Sequence, residues 1–193
     1  MKLTLTEPRY LKDSILIISE LVNDVNLKFT KDKVELVAVD PATVALVIFK
    51  LLSSACSEYT IDKEREQKIP NLKFATKIET NTLLFTEAIE DMDIVADNLT
   101  LSSTPATFLI YSQGTTSSAR VEINNDEETS IETTEQEQTS RYSIEYLKKI
   151  VKASKLASNV TLEFGQDYPL RAEYKVLDKL SLQFVLAPRI PND

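Results

Sequence analysis

One four-residue pattern occurs three times and dictates the architecture. Asn26-Leu27-Lys28-Phe29, Asn98-Leu99-Thr100-Leu101 and Asn159-Val160-Thr161-Leu162 each read Asn, apolar, any residue, apolar, with starts 72 and 61 residues apart. A stretch with helical spacing precedes each one. Pro8 suits a first turn, where its missing N–H costs nothing, and Leu11, Ile15, Ile18 and Val22 then share one face. Phe85, Ile89 and Met92 follow a cap at Thr80 or Asn81; Leu147, Ile150 and Val151 follow one at Ser143. Most of the remainder alternates, as in Val34, Leu36 and Ala38, in Val44, Leu46 and Ile48, and in Ala172, Tyr174 and Val176. Such alternation predicts half-buried antiparallel strands. The chain therefore reads as three copies of a strand–helix–strand–strand–strand unit, an α+β fold. One unit cannot easily bury its helix face and close its sheet edges alone, but two packed together can.

Composition removes most chemistry. The 193 residues include no histidine and no tryptophan. Ser-His-Asp and Cys-His catalysis and every His-based metal site are therefore excluded. A single cysteine, Cys56, excludes thiolate metal sites and intrachain disulfides and fits an intracellular protein. With Gly114 and Gly165 as the only glycines, no phosphate-cradling glycine loop can be written. Asp167-Tyr168 is a place where a Tyr–carboxylate pair could act, yet turn formation accounts for both residues. The expectation is a non-enzyme with no catalytic residue, no metal and no cofactor. No membrane span is expected, since the longest apolar run, Val44–Phe49, falls far short of the roughly 20 residues needed. The alternation of Met1 to Thr6 also argues against a secretory signal.

The net charge is −8, and its distribution is uneven. Asp126 to Gln138 is acidic and polar and reads as a surface loop, and Lys63 to Lys68, ending at Pro70, reads as a hinge. The second helix carries Glu87, Glu90, Asp91 and Asp93. The third is basic. At 100° per residue Lys148, Lys152 and Lys155 lie within about 60° of one another with Lys149 adjoining. This face is either a solvated helix surface or a stripe that meets a polyanion. Lysine reads no base edges, so a DNA contact here would be directed at the backbone and independent of sequence.

Val39-Asp40-Pro41-Ala42-Thr43-Val44-Ala45-Leu46-Val47, followed by Glu58-Tyr59, resembles the first βαβββ unit of the proliferating cell nuclear antigen family of DNA sliding clamps, in its archaeal style. Tyr142 to Leu147 resembles the start of the family's last helix. Phe164 to Leu170 and Leu186 to Ile190 resemble the strands and tail that close its second domain. The resemblance implies a DNA-clamp fold with antiparallel sheets outside and helices lining a DNA hole. It implies a processivity factor that encircles double-stranded DNA in a ring of clamp subunits, three in number. Such a ring tethers DNA polymerase, clamp loader, flap endonuclease and DNA ligase through short client motifs. Lys12, Lys148, Lys149, Lys152 and Lys155 would face the DNA. Val39, Thr43, Val44 and Leu46 would form one side of the client pocket, and Pro169, Val185, Ala187 and Pro188 the other, the tail pairing with the client as an added strand. Location would be cytoplasmic in an archaeal cell and nuclear in a eukaryotic one.

The chain departs from that pattern in having three units where the family has four. Residues 1–68 would form a partial N-terminal clamp domain of one unit, and 69–193 a C-terminal domain of two. The missing second unit carries the family's subunit-pairing strand. The alternative expectation is accordingly a clamp-like binding module or decoy that does not encircle DNA.

Overall fold

A computed structural model describes residues 2–60, 72–133 and 137–190. The first repeat runs β1 (Lys2–Leu5), α1 (Pro8–Ile18), β2 (Lys28–Phe29), β3 (Lys33–Val39), β4 (Ala45–Leu52) and β5 (Cys56–Thr60). The second runs β6 (Thr76–Asn81), α2 (Thr82–Asp93), β7 (Asn98–Ser103), β8 (Thr107–Gln113), β9 (Ser118–Asn124) and β10 (Ser130–Thr133). The third runs β11 (Gln138–Ser143), α3 (Ile144–Ile150), β12 (Asn159–Phe164), β13 (Leu170–Val176) and β14 (Leu180–Leu186). The α+β class is what the repeat spacing predicted, with a fifth strand added in the first two repeats, and the sheet-and-helix arrangement is the clamp fold that the resemblance implied.

Among the described residues all strand pairs are antiparallel. One sheet has eight strands in the order β10-β6-β12-β13-β14-β4-β3-β2, another has four in the order β11-β7-β8-β9, and β1 and β5 form a third. The second and third repeats interlock, each lending its first strand to the other: β6 pairs with β12, and β11 with β7. The first repeat joins the third edge to edge through β4 and β14, where Leu46 stands opposite Val185 and Phe49 opposite Leu182. Phe108 of β8 and Phe164 of β12 bring the two larger sheets together with ring centroids 6.3 Å apart. Under them Phe85, Ile89 and Met92 of α2 are fully buried, as their spacing predicted. Each such side chain contributes about 1.5–3 kcal/mol through burial.

Local signals explain the helix ends. Asn81 caps α2, its side-chain oxygen accepting from the Leu83 N–H at 2.8 Å. Pro8 opens α1, and Ser143 occupies the cap position of α3 without a side-chain bond.

Four expectations need correction. The third helix is α only to Ile150 and continues as a 3₁₀ segment, Val151–Lys155. Successive residues there turn by about 120°, not 100°, so the angles drawn for Lys152 and Lys155 do not hold. The acidic stretch from Asp126 contains a strand, β10, because Ile131 packs inward while its neighbours Ser130 and Glu132 face out. In β4 the fully inward set is Ala45, Val47, Phe49 and Leu51; Leu46 points to the opposite face and Ile48 is covered there as well. On α1 the buried face is centred on Tyr10, Ser14, Ile17 and Ile18, with Leu11 and Ile15 half-buried at its margin. The expected hinge at Lys63–Lys68 lies outside the described residues.

Candidate DNA-facing and partner-binding surfaces

The helical segments lie together. α2 packs against α3 and the 3₁₀ segment, and α1 packs against that segment and β4. Three of the five lysines singled out from sequence are held by carboxylates in this layer. Lys148 Nζ lies 2.7 Å from Asp93, Lys149 Nζ 3.0 Å from Glu145, and Lys152 Nζ 2.5 Å from Glu20. The first and last of these pairs tie the third repeat to α2 and to the turn after α1. Each exposed pair is worth about 0–1 kcal/mol. Lys12 and Lys155 are exposed and have no ion-pair partner among the described residues. The expected four-lysine stripe is thus half a structural staple.

Charge in the grooves follows from this. A groove of about 1060 Å³ between the helices is lined by Glu20, Glu90, Asp93, Asp97 and Glu145 against Lys148, Lys149, Lys152, Lys155 and Arg189. Those charges balance. A second groove, of about 650 Å³, is lined by Arg9, Lys155 and Lys175 and by no carboxylate. It is the cationic part of the helix side. Arg9 is itself paired with Glu7 at 2.8 Å, and neither it nor Lys175 carried a signal in sequence, because Arg9, Lys155 and Lys175 come from separate elements that only the fold brings to one groove.

On the opposite, outer face the residues expected to receive a client come together. The register places Val39 opposite Leu46, Leu46 opposite Val185, and Val185 opposite Arg171. The first three form an apolar row across β3, β4 and β14, and Val39 is 51% exposed. Beside it the tail is fixed by the Ala187 N–H donating to the Val44 carbonyl at 2.9 Å and the Arg189 N–H to the Arg141 carbonyl at 2.6 Å. One edge of the tail is therefore already committed to the chain itself. Pro188 is half-buried and Ile190 is 67% exposed. Pro169 follows Tyr168, whose ring meets Phe74 edge-on at 5.7 Å. Phe74 in turn lies 4.7 Å under the Arg171 guanidinium, which is paired with Glu163. Phe74, Tyr168 and Arg171 extend the row; their place there was not legible in sequence, since Arg171 stands opposite Val185 through the β13–β14 register and Phe74 and Tyr168 join it through ring contacts.

The loop carrying Thr43 and Val44 is shaped by Asp40. Its buried carboxylate accepts from the N–H groups of Ala42 at 3.1 Å, Val44 at 2.7 Å and Ala45 at 2.6 Å. The Tyr146 hydroxyl donates to it at 2.7 Å. Burial alone would raise the Asp40 carboxyl, but the Ala45 N–H, the Tyr146 hydroxyl and the Val44 and Ala42 N–H groups hold it below the ordinary value. Tyr146 is pushed up to about 12, first by its bond to Asp40 and then by burial. Thr43, exposed, closes the turn at φ 62°, a left-handed conformation that is costly for a β-branched residue. No helix among the described residues is long and apolar enough to cross a membrane.

Sequence models of two domains match the chain: proliferating cell nuclear antigen, N-terminal domain, over residues 1–101, and proliferating cell nuclear antigen, C-terminal domain, over residues 68–189. The two overlap over 68–101, so they do not fix a domain boundary. Among curated proteins, the DNA polymerase sliding clamp of Nanoarchaeum equitans is 27% identical over 247 aligned positions, covering 98% of this chain and 99% of the relative. That of Pyrococcus horikoshii is 24% identical, covering 89% and 91%. The 247 positions exceed the 193 residues here, so the Nanoarchaeum equitans protein has residues with no counterpart in this chain. Among solved structures, a crystal structure of the antigen from Thermococcus kodakaraensis superposes with a TM-score of 0.88 at 19% identity, covering 97% of this chain and 99% of that one.

Proposed function

The chain belongs to the proliferating cell nuclear antigen family, and from that premise we propose that it is a DNA sliding clamp subunit, a processivity factor that encircles double-stranded DNA and tethers DNA polymerase. The observation that carries this is the coverage of residues 1–189 by the family's two domains on a chain whose helices gather on one side of its sheets. DNA passes along the helix side. Lys12 and Lys155, with Lys175 and the Glu7-paired Arg9, meet phosphates there, while Lys148 and Lys152 mainly hold the helices in register and Lys149 pairs within its own helix. Contact is electrostatic and independent of base sequence.

Clients bind the outer row of Val39, Leu46 and Val185, with Thr43, Val44, Pro169, Ala187 and Pro188 around it. An extended client motif adds to the outer edge of the tail, its apolar anchors lying on the row. Polymerase is the first such client; clamp loader, flap endonuclease and DNA ligase are the others expected. The work is mechanical, and no catalytic step is assigned to the chain. Residues 1–68 act as a partial N-terminal domain and 69–193 as the C-terminal one. The relatives are archaeal, and a cytoplasmic location goes with that. The trimeric count expected from the resemblance presupposes four units per copy, and a chain of three leaves it without its basis.

Primer extension tests this reading. A polymerase from one of the archaeal hosts, copying a long linear template with the chain in excess, should yield longer products than without it. Unchanged product length would overturn the tethering role. A second reading, a client-binding module that does not encircle DNA, is favoured by the unmatched strands of the first repeat. It predicts client-peptide binding with no effect on product length.

A further inference from the structure

The second and third repeats show how one repeat mates with another. Each lends its first strand to the second strand of its mate, so the pairing is reciprocal, as about a twofold axis. In both cases the residue that caps a helix stands opposite the Asn of the mate's motif: Asn81 opposite Asn159, and Ser143 opposite Asn98. The first repeat has the same parts and, among the described residues, no mate. Among the described residues β1 pairs with β5 alone, and β2, at the end of the eight-stranded sheet, pairs with β3 alone. The motif itself records the difference. Leu99 and Val160 are 1% and 0% exposed, whereas Leu27, at the same position, is 40% exposed. Leu101 and Leu162 are fully buried, and Phe29 at their position is half-buried. Leu16 and Val25 add exposed apolar surface near the same strand ends. An unpaired strand edge flanked by such side chains is a template for another chain.

We propose that a second copy of this chain occupies that edge. The first repeats of two copies pair about a twofold, β1 of one with β2 of the other in both directions, and α1 lies against α1. What the edge lacks among the described residues is a strand–helix–strand of its own layout. A twofold pairing is isologous, so a repeat can complete itself with its own copy. A twofold that pairs these strands antiparallel also runs the helices antiparallel. The analogous contact inside the chain, between α2 and α3, carries the Lys148–Asp93 ion pair.

The argument stands on strand pairing within the chain and not on the clamp reading, for which it has one consequence: assemblies come in even numbers. Sedimentation velocity of the intact chain from about 1 to 100 µM should give a species of about twice 21.8 kDa. Leu27→Asp should weaken that dimer at least tenfold without lowering the melting temperature of the dilute monomer, because Leu27 is already exposed in the single copy. Glu7 caps α1 as Asn81 and Ser143 cap α2 and α3, so the template sets Glu7 opposite Asn26 of the other copy. Two single-cysteine variants, Glu7→Cys and Asn26→Cys, each with Cys56→Ser, should cross-link through a short bis-maleimide when mixed. A monomer at 100 µM, a trimer, or a dimer that tolerates Leu27→Asp and leaves the mixed pair uncross-linked would overturn the proposal. A dimer with no effect on DNA synthesis would leave it standing and count against the clamp reading alone.

Discussion

The Tyr146 hydroxyl donates to Asp40 Oδ2 across 2.7 Å, joining α3 of the third repeat to the turn that carries the client row of the first. Lys149 Nζ sits 5.2 Å from the centre of the same tyrosine ring. A link thus runs from the helix side to the outer face at the seam between repeats. Tyr146→Phe should cost about 1–2 kcal/mol of stability, since a bond to a charged acceptor is lost while three backbone donors remain. The pH dependence has a definite sign. Tyr146 is raised from 10.0 to about 12, so its contribution is intact below pH 10 and lost as pH rises from there to about 12. Asp40 is lowered, so its contribution is present above the ordinary carboxyl value and lost as pH falls below it. Melting curves of wild type and Tyr146→Phe between pH 8 and pH 12 should converge at the alkaline end. Parallel curves would contradict the link.

The two kinds of lysine separate by salt titration. Binding to a DNA duplex should lose about 0.9 in the slope of log affinity against log salt for each phosphate contact removed. Lys155→Gln should show nearly that change. Lys152→Gln should show less than half of it, because Glu20 already neutralises the ammonium. Equal changes would mean that the ion pair opens on DNA.

Val39 is the exposed end of the apolar row. Val39→Glu should leave stability within about 0.5 kcal/mol, as surface substitutions generally do. It should weaken a fluorescent client-motif peptide at least tenfold, a loss of about 1.4 kcal/mol. Retained peptide affinity, read by anisotropy, would remove the row from the client site.

Ser14 Oγ is buried in α1 without a hydrogen-bond partner. Ala88 stands at the same distance into α2 and is equally buried. Ser14→Ala should raise stability by about 1 kcal/mol, through relief of the unmet hydroxyl and better helix propensity. Urea midpoints of the two proteins decide it.

What could be read in advance depended on how local the signal was. The cap at Asn81, the opening at Pro8 and the triplet Phe85, Ile89 and Met92 are set within one turn or one helix, and their spacing carried them. The repeated Asn motif carried the architecture, since it marks the strand entered from each helix. The fate of the lysines was not legible. Lys148 and Lys152 meet Asp93 and Glu20, which lie far away in sequence, and nothing local distinguishes them from Lys155. Leu46 and Val185 were singled out by family resemblance, and only the β4–β14 register sets them side by side. Tyr168 was noticed only as a turn residue beside Asp167, and neither it nor Phe74 was tied to the row, because their rings and Arg171 meet only once the chain folds. The strand at Ile131 was masked by its carboxylates, which suit an exposed sheet face as well as they suit a loop.

The most direct measurement is retention on a nicked circular plasmid during gel filtration, at a salt concentration high enough to strip purely electrostatic binding, followed by linearisation of the same sample. A chain that closes around the duplex should co-elute with the circle and slide off once an end exists. Equal retention on circle and linear DNA, or none on either, would contradict encirclement.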